Sequence, residues 1–345
     1  MVGRSRVEER ADTFDDAFEH ALGAPPPDVE GPLKERWSEP LGAVASLPPL
    51  GLDAGQAERH RVYCLLLMAL LDNHWTPLKR GRGGRYPWRV EAAGPPLEPD
   101  YLGHNIAALG VDGNGRVLDF EFNHTALYDS SAEHAEARLV RRLYSLAHLS
   151  DSWSPTTVTG QGGTTQRPSY VNLSDVTVYT SLESCSQCSG AMMLAQVKEV
   201  VYLQTDPDAF WVGRILHNLS TDKLKAPLPI AASEVGLEHF AELNAGYARF
   251  KQGVCADRPF HVPESGEADL SPSLTSFLCT EDARATFERG AGDFRALARG
   301  ATLSHPEYRP PDAPAALTNA EVVGEADDFL TYAVNHGSRA TPHGL

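Results

Sequence analysis

Long apolar runs are missing from this sequence. Its 345 residues contain no stretch of about 18 or more apolar residues, so no helix is predicted to cross a membrane. The segment Met1 to Arg10 is polar and charged and lacks the apolar core of a secretory signal. Cysteine is scarce, with five residues in all. An odd count without framework spacing argues against a disulfide-stapled domain. It favours a reducing, cytoplasmic compartment, where thiolates survive. Basic residues are the minority, 30 Lys and Arg against 46 Asp and Glu, for a net charge of −16. Tight nonspecific binding to nucleic acid needs phosphate neutralisation by Lys and Arg, and this balance opposes it. What the chain does have is 42% hydrophobic residues, enough for a substantial core, and length for two domains of roughly 100 to 200 residues each.

Periodicity and punctuation divide the chain into three parts. Residues 1–95 read as a mainly helical N-terminal region. Glu8 to Leu22 has helical spacing and stops at Pro25-Pro26-Pro27. Ala57 to Trp75 is a strongly apolar helix in which Cys64 reads as a buried thiol. A Gly/Arg loop and Pro95-Pro96 form the linker. Residues 96–255 alternate strands with helices, which implies an α/β sandwich. Ile106 to Val111 and Arg116 to Phe122 are predicted strands joined at Asp112-Gly113-Asn114-Gly115, a strong hairpin signal. Ala132 to Leu149 reads as a helix, Val176 to Ser181 as a strand, Cys185 to Ala195 as a helix and Val200 to Gln204 as a strand. Residues 150–170 are Ser, Thr and Gly-rich without periodicity and read as an insertion, either a lid or plain disorder. Residues 256–345 form a Pro-rich, partly helical extension, with helices expected near Thr280 to Arg299 and Ala320 to Asn335.

Two short motifs carry chemistry. His134-Ala135-Glu136 is followed, 51 positions after the His, by Cys185-Ser186-Gln187-Cys188. One His and two Cys fill three positions of a tetrahedral zinc site and leave the fourth open. Cys185 and Cys188 share one face at a helix N-terminus, where the macrodipole favours thiolates. Glu136 stays outside the ligand set as a candidate general acid and base. His305-Pro306-Glu307 repeats the His-x-Glu spacing but has no Cys-x-x-Cys downstream and is set aside. A structural zinc site would need two further Cys or His ligands at suitable spacing, and none is evident.

The run Val178-Tyr179-Thr180-Ser181-Leu182-Glu183-Ser184-Cys185-Ser186-Gln187-Cys188-Ser189-Gly190-Ala191-Met192, then Val197 to Tyr202, resembles the cytidine deaminase superfamily of zinc-dependent nucleobase deaminases. In motif it is closest to the tRNA adenosine deaminase and guanine deaminase branch. The family signature is H-x-E followed by P-C-x-x-C, with His/Cys/Cys zinc and a separate Glu. The resemblance covers residues 98–215 and implies a three-layer α/β/α sandwich with a mixed sheet, flanked here by the N-terminal and C-terminal regions. It implies Zn2+ held by His134, Cys185 and Cys188, with Glu136 catalytic. It implies substrate contacts at Asn123, at that family's interval before the ligand His, and at Ala135, His124, Phe210 and Trp211. One residue departs from the pattern: Ser184 stands where the family has Pro. Serine there is expected to cap the helix that follows.

The expected activity is hydrolytic: an exocyclic amine of a base becomes a carbonyl and ammonia leaves. The acidic charge favours a free base, nucleoside or nucleotide. A base in RNA or single-stranded DNA is the alternative. It is motivated by Lys79, Arg80, Arg82, Arg85 and Arg89 with Tyr86 and Trp88 among them, which read either as a phosphate-contacting loop with stacking platforms or as a solvated glycine loop. A non-catalytic deaminase-fold binding subunit is the third reading, motivated by Ser184 and the large flanking regions. The family's habit of dimerising leaves a homodimer open.

Overall fold

The computed structural model describes residues 25, 27–75, 84–85, 103–128, 130–146, 172–253, 262–263 and 273–336. The predicted helix Glu8 to Leu22, the side chains of the Lys79 to Arg89 segment, Pro95-Pro96, the 150–170 insertion and Cys255 lie outside them.

The principal elements, in chain order, are α1 (Ala54–Asn73), β1 (Ala107–Val111), β2 (Val117–Phe122), α2 (Ala135–Leu146), β3 (Thr177–Thr180), α3 (Ser186–Leu194), β4 (Glu199–Tyr202), α4 (Val212–Leu219), β5 (Leu228–Ala231), α5 (His239–Gly253), α6 (Glu281–Ala298) and α7 (Asn319–His336). The five strands make one sheet in the order β2-β1-β3-β4-β5. β1 runs antiparallel to β2 and β3, whereas β3, β4 and β5 are parallel. This is the mixed sheet that the resemblance implies. Gly84–Arg85 pairs antiparallel with Val262–Pro263 in a separate two-stranded ladder.

The β1–β2 hairpin closes as its sequence dictates. Asp112 Oδ1 accepts hydrogen bonds from the Asn114 and Arg116 amides at 2.9 and 2.8 Å. Gly115 sits at φ +85°, a conformation that L side chains rarely adopt, so the turn favours glycine.

Side chains alternate across the sheet, and β3 shows how this builds two faces. Tyr179 turns to α1, where its hydroxyl is 2.8 Å from His60 Nδ1. The next residue, Thr180, turns to α2 and Glu136. α2 lies across β1 and β2 and beside α3, and α4 continues this layer over β5. On the opposite face α1 contacts β1, β3 and β4, while α6 and α7 cover its outer side. Every residue from Val62 to Leu71 is buried, because this helix is apolar all round and has a neighbour on each side. Residues from α1, the sheet, α6 and α7 belong to one hydrophobic cluster.

Three elements between the expected β4 and residue 255 were not evident in sequence: α4, β5 and α5. β5 has Pro229 inside it. Proline is tolerated because β5 is the sheet edge, where one row of ladder bonds is not needed. The predicted C-terminal helices appear as α6 and α7, within a residue or two of their expected ends.

Candidate metal centre

His134 precedes the first turn of α2, and Cys185 is the N-cap residue of α3 (φ −67°, ψ 174°) with Cys188 in its first turn. Two helix N-termini therefore converge. His134 Nδ1 lies 3.4 Å from Cys185 Sγ and 3.6 Å from Cys188 Sγ. All three ligand atoms fall within 4.8 Å of one another. Tetrahedral bonds of ordinary zinc length place N and S ligands about 3.5 Å apart, so the donor set and its spacing fit zinc.

The electrostatics suit the same purpose. The Cys185 thiol is drawn down to about 4, first by its hydrogen bond with Cys188 and then by His134. Its neighbour Cys188 is pushed up because it is the proton donor of the pair. Contact with Cys185 in turn raises His134. This surrounding favours the Cys185 thiolate, the form in which cysteine ligates a metal.

Glu136, 4% exposed, stands beside this cluster. Its Oε2 is 3.4 Å from Cys188 Sγ, and its Oε1 accepts from Thr180 Oγ1 at 3.1 Å and Ser184 Oγ at 3.2 Å. Burial raises its pKa, as expected for a carboxyl removed from water. Ser184 therefore does not cap α3: the cap residue is Cys185, without a side-chain capping bond, and the serine hydroxyl goes to Glu136. The roles of Thr180 and Ser184 were missed in sequence. The only signal was that Ser184 replaces the family's proline.

A buried ionic network fixes α2 on β2. Arg138 and Arg142, both 1% exposed, reach Glu121 and Asp119 of β2. Arg138 Nη1 also holds Glu133 at 2.7 Å, and Arg141 adds a bond at 2.9 Å. Glu133 adjoins His134, so these bonds help hold His134 just ahead of α2. Charges buried this deeply persist only when paired and hydrogen-bonded.

The other sequence candidates separate. Asn123 is buried, and its Oδ1 accepts from the amides of His104 and Thr125 at 3.2 and 3.0 Å and from Thr125 Oγ1 at 2.7 Å. Ala135 opens α2 with its side chain fully buried. His124 is also fully buried, and its Nδ1 donates to the Phe122 carbonyl at 2.7 Å. Burial, followed by Arg138, lowers its pKa to about 4. Phe210 and Trp211 are 67% and 47% exposed. Both have left-handed backbone, φ 51° and 54°, at a cost of roughly 1 to 2 kcal/mol per residue. Their loop is tied to the ligand loop, since the Asp206 amide donates to Glu183 Oε2 at 3.2 Å. Asp206 is raised to about 6 by burial, with smaller contributions from Asp208, Cys185 and Glu136. Asp206 and Asp208 thus stand near the buried Glu183, which also interacts with Arg214.

Residues 97–204 match the family model for the cytidine and deoxycytidylate deaminase zinc-binding region. No curated protein matches the chain. Among solved structures, one similar chain comes from work titled "Biochemical and Structural Studies of A-to-I Editing by tRNA:A34 Deaminases at the Wobble Position of Transfer RNA". It shares 21% identity, over 37% of this chain and 83% of that one, with a TM-score of 0.27.

Proposed function

We infer that this chain, whose residues 97–204 match the cytidine and deoxycytidylate deaminase zinc-binding region, is a hydrolytic deaminase of nucleobases. The observation that carries the reading is Glu136: a buried carboxyl whose Oε2 lies against the His134, Cys185 and Cys188 cluster without being one of its ligands. The three ligands would hold the zinc, and a zinc ion with an open position makes water a competent nucleophile near neutral pH. Glu136 takes one proton from the attacking water and gives it to the ring nitrogen, then takes the second from the hydroxyl that attack leaves on the ring carbon and gives it to the departing amine. Water replaces the exocyclic amino group, leaving a carbonyl and ammonia. Asn123 has its carbonyl oxygen committed within the protein, so its contribution to the base is donation from the amide NH2. Phe210 and Trp211 offer faces on which a base can stack.

A free base, nucleoside or nucleotide is favoured by the net charge of −16, which repels a phosphate backbone. A base in RNA or single-stranded DNA is the second reading, supported by the Lys79 to Arg89 segment. The four cysteines among the described residues form no disulfide, which suits a reducing, cytoplasmic setting. Mass spectrometry on a panel of bases, nucleosides, nucleotides, single-stranded DNA and structured RNA tests the proposal. Nucleoside conversion that survives neutralisation of Lys79, Arg80, Arg82, Arg85 and Arg89 supports the first reading. Conversion of RNA or DNA that is lost in the same variant supports the second.

A further inference from the structure

The two oxygens of Glu136 have different surroundings. Oε1 faces two hydroxyls, Thr180 Oγ1 at 3.1 Å and Ser184 Oγ at 3.2 Å. Oε2 faces the ligand cluster, 3.4 Å from Cys188 Sγ. The four side chains come from the start of α2, the end of β3, the loop before α3 and α3 itself, and all are buried. A carboxylate oxygen has two lone pairs for good hydrogen bonds, and the two hydroxyls match both on Oε1. Ser184 is held in turn, since its carbonyl accepts from Ser189 Oγ at 3.2 Å.

We propose that Ser184, together with Thr180, is a positioning residue that pins Oε1 and confines proton exchange by Glu136 to Oε2. This rests on the deaminase reading above. One oxygen then receives the proton from water and delivers it to the ring nitrogen, and the carboxyl does not turn between the two transfers. Proline, the residue of the resembled family at this position, has no hydroxyl and cannot make this bond. The serine is therefore a substitution with a stated task.

The test uses the full-length, zinc-loaded protein and the variants Ser184→Ala, Ser184→Thr and Thr180→Val. The first readout needs no substrate. Isotope-edited infrared spectra, with Glu136→Gln subtracted, isolate the carboxylate stretch of Glu136. That band shifts in Ser184→Ala and returns in Ser184→Thr. The second readout is the split between kcat and KM. Ser184→Ala lowers kcat about ten-fold, the worth of one hydrogen bond, with KM unchanged, and Ser184→Thr restores it. A band that does not move in Ser184→Ala overturns the proposal, as does a moved band with kcat intact in an active enzyme. If Ser184→Ala loses its fold or its zinc, Thr180→Val carries both readouts without altering the ligand loop, and an unmoved band there is equally fatal. If the wild-type protein converts no base, the deaminase reading falls, while the infrared result still decides whether Ser184 holds Oε1.

Discussion

Glu136 and Cys188 are side by side in space and 52 positions apart in sequence, yet both stand out as candidates in the sequence, because a His-x-Glu and a Cys-x-x-Cys motif are local patterns. Thr180 and Ser184 were not legible. Their partner lies 44 and 48 positions upstream, and a hydroxyl carries no local mark of the carboxyl it will meet. His124, a candidate substrate contact in the sequence, is buried in the fold with its Nδ1 on the Phe122 carbonyl. That burial has a pH consequence. The native ring holds its pKa near 4 against an ordinary 6.5, so between these values the unfolded chain binds more protons than the folded one. Stability is full above about 6.5 and falls as pH drops towards 4, by up to about 3 kcal/mol from this group. An NMR titration of the His124 ring should show a midpoint near 4. A midpoint near 6.5 would mean that the ring is solvated.

Among elements, α2 depends on charges that sequence patterning treats as surface. Arginine is rarely fully buried unless paired, and β2 presents Asp119 and Glu121 to Arg142 and Arg138 inside the molecule. Removing one partner strands the other in a poor solvent. Asp119→Ala should therefore cost about 3 kcal/mol or more in urea unfolding, far above the loss expected of a surface pair. A loss below about 1 kcal/mol would show that water reaches the network. The strands and helices that carry the motifs were recoverable from period and turn chemistry. β5 was not, because Pro229 counts against a strand until the edge position is known.

At the scale of the whole molecule, what sequence could not supply was the partner of α1. Arg59 of α1 bonds Asn319 of α7 across 260 positions, and Glu58 accepts the backbone amides of Ser304 and His305. The discarded His305-Pro306-Glu307 repeat is thus part of a clasp on α1, away from the metal cluster. Because α6 and α7 share a core cluster with α1 and the sheet, damage far from the site should be felt throughout. Phe287→Ala, at a fully buried position of α6, should cost about 3 to 5 kcal/mol. Tertiary signals from both ends of the chain should then be lost in one transition. Two separate transitions would show that the C-terminal helices fold independently of the sheet.

The most direct test of the central claim compares zinc-loaded wild-type protein with Glu136→Gln, measuring metal content and base conversion on the same samples. The account predicts equal zinc in both, conversion of an amino base to its carbonyl form with ammonia release by the wild type, and a rate roughly 100-fold or more lower in the variant. Equal conversion rates in the two proteins, each with zinc bound, would contradict it.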